Sequence, residues 1–489
     1  MSKQAVIDTP FGQVRGTIVD GVASFKRIPY SEPRTGADRF GKPTKPPLWD
    51  GVRDATQVGP VAPQLPSRLD AVMGAYDVAQ DEDSLHVDIW TPHAPDASAP
   101  VLVFIHGGAF MTGGGSLPCY DGHDLAKNTG LVVVTITYRL GILGFMPIPE
   151  FDAVNLGHHD QIAALRWVRQ AISAFGGDPQ RVTVAGQSAG AYSIAVMLGT
   201  EVGKELFNQA ILMSTPLGLK LKTAQASVGV RSALLRELGF EADQLDKLRE
   251  TPIEDMLQAL LRMRNAPTAK VGDVTPPFMP VIDGDLIPRD PIELIRDGSA
   301  AWCKTIIGVT REEHASFSIG ASPLNDLNEE SLLAVFEQQF GDDGKSVLEE
   351  YRAKRVPATP RTIIGDMRSD LDFVKDSFEF AESQFKHGQT HSYAYQFDWQ
   401  SPLPGLGAGH CLDLPFLFGN LAVWGKVPMV YGADNQEVSD LTKVFQGGLS
   451  AFVLTGNPNG NALPHWPAYQ NTRGVLHFDK HVSAMGHID

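Results

Sequence analysis

The chain has 489 residues, of which 43% are hydrophobic and 20% charged, a composition suited to a large globular core and unlike that of disordered or fibrous chains. A formal net charge of −16 argues against a nucleic-acid partner, which needs a basic face opposite its phosphates. Three scattered cysteines (Cys119, Cys303 and Cys411) with no C-x-x-C spacing argue against a disulfide framework or cysteine zinc site, and no apolar run reaches the roughly 18 residues a membrane span needs.

The opening MSKQAVIDTPFGQV lacks the apolar stretch of a signal peptide, so a cytoplasmic location is expected. Over the first 60 residues, short β-rich runs alternate with Gly- and Pro-containing turns, too closely for long helices. Residues 86–91 (HVDIWT) alternate apolar with polar and predict a half-buried strand. Residues 101–105 (VLVFI) and 131–136 (LVVVTI) are continuous apolar runs, the pattern of strands covered on both faces. Ile162, Leu165, Trp167, Val168, Ile172 and Phe175 recur at helical period and predict a helix over 158–175, ended by Gly176-Gly177. A strand through Val182, Val184 and Ala185 then meets Gly186-Gln187-Ser188-Ala189-Gly190, a helical segment follows, and a further strand is predicted at 209–213. Strands alternating with helices imply a parallel sheet with right-handed crossovers. The pattern turns mainly helical at about 220–300, read as a lid or insertion. Strands resume at 304–309 and 392–397, on either side of a second helical segment at about 330–386. A last helix near 436–454 precedes a Pro- and Asn-rich tail. The expectation is one α/β domain over residues 1–489.

A G-x-S-x-G run between strand and helix is the mark of a serine held on a cramped turn with its hydroxyl exposed, which makes Ser188 a candidate nucleophile. A serine hydroxyl needs a base, and the oxyanion it creates needs aimed donors. After the 101–105 strand, His106-Gly107-Gly108-Ala109-Phe110 can direct backbone N–H groups at an oxyanion, together with the N–H of Ala189. The order nucleophile, acid, histidine is met by Thr310-Arg311-Glu312-Glu313-His314 and then by Gly407-Ala408-Gly409-His410, each following a predicted strand.

These stretches, together with FKRIPYSEPRTGADRF (25–40), EDSLHVDIW (82–90), NLGHHDQIAALRWVRQAISAFGGDP (155–179), FMPVIDG (278–284), HCLDLPFLFGN (410–420) and TGNPN followed by WPAY, resemble the type-B carboxylesterases over nearly the whole chain. The resemblance implies an α/β-hydrolase fold and a serine hydrolase of small-molecule carboxylic esters, broad in specificity, cofactor-free, and monomeric or homodimeric. It assigns Ser188 as nucleophile, His410 as general base and acid, Glu313 as the orienting carboxylate, and Gly107, Gly108 and Ala189 as the oxyanion hole. Ser214 matches a serine supporting the histidine, Asp413 a family acid outside the triad, and Glu312 a family Asp read here as structural. His158 and His159 are expected to open a helix and His106 to brace the glycine turn, so no metal site is expected.

Three departures stand out. Gln187 replaces the glutamate usual before the nucleophile, removing a charge while keeping hydrogen-bonding capacity, and is read as a supporting residue. Ala62 and Ser84 stand where many relatives pair two cysteines. His314 replaces a small residue, either narrowing the pocket or perturbing Glu313. Pocket-wall candidates are Phe110, Met111, Tyr192, Phe317, Trp399 and Phe416, for each of which a core role is equally open. A narrower likeness, through GQSAGAYSIA, YQFDWQSPL and the LGAGHC loop, is to the bacterial phenmedipham hydrolases within the family, making aryl carbamate or amide hydrolysis the alternative activity. A non-catalytic interaction protein on the same fold is the distant alternative; it predicts a broken triad.

Overall fold

The computed structural model describes residues 3–95, 97–264, 272–320, 323–460, 463–470 and 472–486. Its frame is a 13-stranded sheet. An antiparallel flank is made by β1 (Lys3–Thr9), β2 (Gly12–Val19) and β3 (Val22–Pro29), with the short β4 (Val52–Asp54) beside β2 and β5 (His86–Thr91) joining β3 to the centre. The centre is parallel and runs β7 (Val132–Ile136), β6 (Ala99–Ile105), β8 (Gly177–Gln187), β9 (Gln209–Met213), β12 (Lys304–Thr310), β13 (Ser392–Phe397) and β14 (Gly474–Phe478). β15 (Ser483–Gly486) closes the far edge antiparallel, and β10 (Lys222–Thr223) pairs with β11 (Val281–Ile282) in a separate small sheet.

Parallel strands need crossovers, and the crossovers cover both faces, so continuous Val/Ile/Leu runs are the stable choice at the centre. Val101, Val103 and Ile105 point into one buried cluster with helix Leu156–Ala171, while Leu102 and Phe104 point into another with helix Asn435–Thr455. Helix Leu156–Ala171 tightens into a 3₁₀ turn over Ile172–Phe175, and Gly176 at φ 82° ends it, as Gly176-Gly177 predicts.

Two expectations need correcting. HVDIWT is not half buried: all six residues are inside. Its polar member Asp88 is tolerated there because its carboxylate accepts the Arg27 N–H at 2.8 Å and lies 3.8 Å from the Lys26 ammonium. The C-terminal tail also supplies strands β14 and β15, whose five- and four-residue lengths gave too little period to read.

The segment 220–300 carries helices Val228–Glu237, Lys247–Glu250, Ile253–Arg264 and Pro291–Arg296 as well as β10 and β11, with 265–271 outside the described residues. The segment 330–386 carries helices Glu329–Phe340, Gly344–Lys354 and Pro360–Ser369, then a π-helical turn, Asp370–Val374, that runs into helix Lys375–Lys386. The first three of these helices share a small core of Leu332, Phe336, Leu348, Ile363, Ile364 and Met367.

Candidate active site

Because β6, β8, β12 and β13 are parallel, their carboxyl ends share one edge of the sheet, where α/β sheets place their sites. From that edge emerge His106-Gly107-Gly108, Ser188, the turn bearing Glu313, and the loop leading to His410.

Ser188 sits at φ 55°, ψ −120°, outside the comfortable regions for a residue with a side chain, at a cost of about 1–3 kcal/mol. Neighbouring backbone holds it there: its N–H donates to the Met213 carbonyl at 2.8 Å. The turn closes this tightly because position 190 is glycine, where a Cβ would lie 1.9 Å from the Ile105 carbonyl oxygen. Ser188 is 7% exposed, whereas His410 and Glu313 are 1% and 0%.

His410 Nδ1 lies 2.5 Å from Glu313 Oε2, and Glu313 Oε1 accepts the Thr310 N–H at 2.7 Å. The carboxylate therefore faces two donors, which fixes its plane. Burial alone depresses the basicity of His410, the neighbouring Cys411 and Glu313 oppose it, and the net displacement is upward. Burial also raises the Cys411 thiol. Phe317 and Phe373 pack on the imidazole with centroids at 5.3 and 4.9 Å.

Gly108 adopts φ 109°, and its carbonyl accepts the N–H groups of Met111 and Thr112, each at 3.0 Å. This turn leaves the N–H groups of Gly107 and Gly108 without an acceptor among the described residues. Ala189 opens helix Ala189–Leu198, where a first-turn N–H has no intrahelical partner. His106 braces the turn as expected, Nδ1 lying 2.7 Å from the Gly107 carbonyl, and burial lowers its pKa to about 4.

The supporting residues divide. Gln187 Nε2 lies 3.1 Å from His410 Nε2. Ser214, in contrast, makes no side-chain hydrogen bond among the described residues; Ser316 instead donates to the His410 carbonyl at 2.9 Å. Ser214 is held in an αL turn at φ 51°, with its N–H on the Gly308 carbonyl at 2.7 Å. Glu312 takes up the loop before the histidine: it accepts the Ala408 N–H at 2.7 Å and Arg355 Nη1 at 3.1 Å. Asp413 accepts the Tyr395 hydroxyl at 2.7 Å, and burial raises its pKa to about 7.

Of the pocket candidates, Phe317 alone packs on the His410 ring. Met111 lines a narrow cleft beside the glycine turn, about 10 Å³, with Leu140 and Ile142 facing Ile253, Met256 and Leu260 of the 220–300 segment. Phe110 packs on Phe145 at 4.8 Å and Tyr192 at 6.2 Å in the main core, and the Tyr192 hydroxyl donates to the Leu219 carbonyl. Trp399 and Phe416 pack on each other at 5.1 Å in the second core cluster, with the Trp399 indole on Glu437, and the structure does not bring them to Ser188, Glu313 or His410. His314 is buried beside Phe317 at 5.3 Å; burial and then Arg368 lower its pKa to about 3, so it is neutral. It adds no charge beside Glu313. Among the described residues no cluster of three metal-ligating side chains occurs.

The sequence matches the Carboxylesterase family over residues 3–488. The chain belongs to that family. This carboxylesterase is 38% identical to the para-nitrobenzyl esterase of Bacillus subtilis over 98% of its own length and 95% of the relative's. It is 37% identical to the phenmedipham hydrolase of Pseudarthrobacter oxydans, over 96% and 94%. The crystal structure of a Geobacillus stearothermophilus carboxylesterase superposes with a TM-score of 0.86 at 34% identity, covering 98% of this chain and 97% of that one. The α/β-hydrolase fold and a carboxylic-ester hydrolase activity follow. Phe373, which the sequence does not mark, reaches the histidine of this carboxylesterase from the π-helical turn.

Proposed function

We propose that this carboxylesterase cleaves a broad range of small carboxylic esters through an acyl-enzyme on Ser188. The observation that carries the reading is the convergence, on one sheet edge, of a strained serine, a buried His–Glu pair and N–H groups without acceptors among the described residues. Ser188 Oγ attacks the ester carbonyl as His410 Nε2 takes its proton, and Glu313 keeps the ring oriented and faces the imidazolium. The tetrahedral oxyanion accepts from Gly107, Gly108 and Ala189, each donor being worth about 100- to 1,000-fold in rate. His410 then protonates the departing alcohol. Water then attacks the acyl carbonyl as His410 takes its proton, and His410 returns that proton to Ser188 Oγ as the acyl–oxygen bond breaks and the acid leaves.

An organophosphate ester such as diethyl p-nitrophenyl phosphate tests the reading. The expected result is one diethylphosphoryl group per chain, on the peptide carrying Ser188, with esterase activity lost in proportion. A Ser188→Ala enzyme that still turns over p-nitrophenyl acetate would sink it.

The phenmedipham hydrolase likeness, at 37% identity against 38% for the esterase, supports a second reading in which the same residues cleave aryl carbamates. Nitrogen lone-pair donation weakens a carbamoyl carbonyl towards attack, so a burst of phenol followed by slow turnover is expected. A panel of phenyl esters and phenyl carbamates decides between the two.

A further inference from the structure

The Gln187 side chain is wedged at the centre of the site. It is 1% exposed, its amide nitrogen lies 3.1 Å from His410 Nε2, and its amide oxygen lies 2.6 Å from where a Cβ on Gly107 would stand. With Nδ1 donating to Glu313, a neutral imidazole presents a lone pair at Nε2. That lone pair accepts the Gln187 amide N–H. It is also the lone pair that must take the proton of Ser188, and Ser188 Oγ has no hydrogen-bond partner among the described residues.

Once Nε2 carries a proton, two N–H groups face each other. The amide must then turn about its last torsion and offer its oxygen. An amide can do both, whereas a carboxylate can only accept and so favours the charged ring.

We propose that Gln187 is a positioning residue that biases His410 towards the neutral, Nδ1-protonated form relative to a carboxylate at the same place, so keeping the base available to lower pH than a carboxylate would, and hands Nε2 over to Ser188 in each acylation. The inference rests on the Ser188–His410 reading above. The other titratable groups facing His410 are Glu313 and His314 from the turn after β12, and Cys411 and Asp413 from the histidine's own segment. Gln187 is the neighbour on the Nε2 side.

The test compares wild type, Gln187→Glu and Gln187→Met by kcat/KM against pH with p-nitrophenyl acetate. Histidine labelled with ¹⁵N reports the titration of the His410 ring independently of turnover. The carboxylate variant is expected to move both the acid limb and the ring titration upward by ~1 pH unit or more, about tenfold in proton affinity. The methionine variant, losing only the donor to the neutral ring, is expected to move both by less. Equal displacements in the two variants, or none in Gln187→Glu, overturn the proposal. Should Gln187→Glu fail to fold, the methionine variant and the wild-type ring decide: an upward shift in the first and an unprotonated, hydrogen-bonded Nε2 in the second support the proposal, and the lack of either overturns it. An inert Ser188 would instead condemn the hydrolase reading, and the ring titration would still report on Gln187.

Discussion

Replacing Glu313 by Gln tests the geometry most sharply, because the carboxylate has two donors in front of it. Oε2 faces His410 Nδ1 at 2.5 Å and Oε1 faces the Thr310 N–H at 2.7 Å. A glutamine has only one oxygen. If that oxygen stays on Thr310, the amide N–H points at Nδ1, which must then accept, and the ring's proton moves to Nε2. In that tautomer His410 cannot take the proton of Ser188. If the amide turns over, its N–H opposes the Thr310 N–H, a buried mismatch costing about 1–3 kcal/mol. The imidazolium also loses a charge-assisted hydrogen bond, of about 1.5–3 kcal/mol. Together the two losses reduce kcat by about 100- to 10,000-fold, with KM changed little. Steady-state hydrolysis of p-nitrophenyl acetate measures this, and a thermal melt within a few degrees of wild type establishes that the fold survives. A folded Glu313→Gln enzyme within about threefold of wild-type kcat would refute the assignment of Glu313 as the orienting acid.

Two further outcomes follow from the geometry. A Cβ on Gly107 would lie 2.8 Å from the Gln187 carbonyl oxygen and 3.0 Å from Ser188 Cβ. Gly107→Ala should therefore displace the oxyanion loop and cost about 100- to 1,000-fold in kcat, a loss comparable to that of one oxyanion donor; unchanged kcat would remove Gly107 from the hole. Asp413 is raised by burial from 3.8 to about 7, so the folded protein binds its proton more tightly than the unfolded chain does. Its stabilising contribution is complete below about pH 4 and is lost as pH rises through about 7, at up to ~1.4 kcal/mol per unit. Urea unfolding at pH 5 and pH 8 should show Asp413→Asn gaining on wild type at the higher pH, and a parallel loss in both proteins would show that Asp413 does not titrate in this window.

The parts of the site that depend on backbone shape were legible in the sequence. G-Q-S-A-G and H-G-G are short because each glycine answers a local close approach, and both motifs sit beside runs long enough to read as strands. Strands 209–213 and 392–397 carry enough apolar residues to be placed to the residue. What escaped depends on packing across the fold. Whether HVDIWT shows one face to water is decided by elements far from it in sequence, and Asp88 looks like a surface residue until Lys26 is beside it. Trp399 lies near the histidine in sequence, yet the loop between them turns its ring into the core. Ser316 rather than Ser214 holds the histidine's carbonyl, a choice between two ordinary serines that only the turn geometry makes. Phe373 reaches the site through a π-helical turn, whose extra residue breaks the period used to find helices.

The contacts of Glu312 bear on how this enzyme loses activity on heating. Through Ala408 on one side and Arg355 on the other, Glu312 joins the loop before His410 to the end of helix Gly344–Lys354, and Arg355 lies 3.5 Å from Asp366 on the next helix. That helical layer rests on its own small core, separate from the two clusters that flank the sheet. Such a layer can open at a lower free energy than the sheet. When it opens, the clip on the His410 loop is released while Ser188 stays in its turn. Loss of activity on heating is then expected at a lower midpoint than melting of the sheet, governed by the cohesion of a peripheral helical layer; coincident midpoints for the two would count against it.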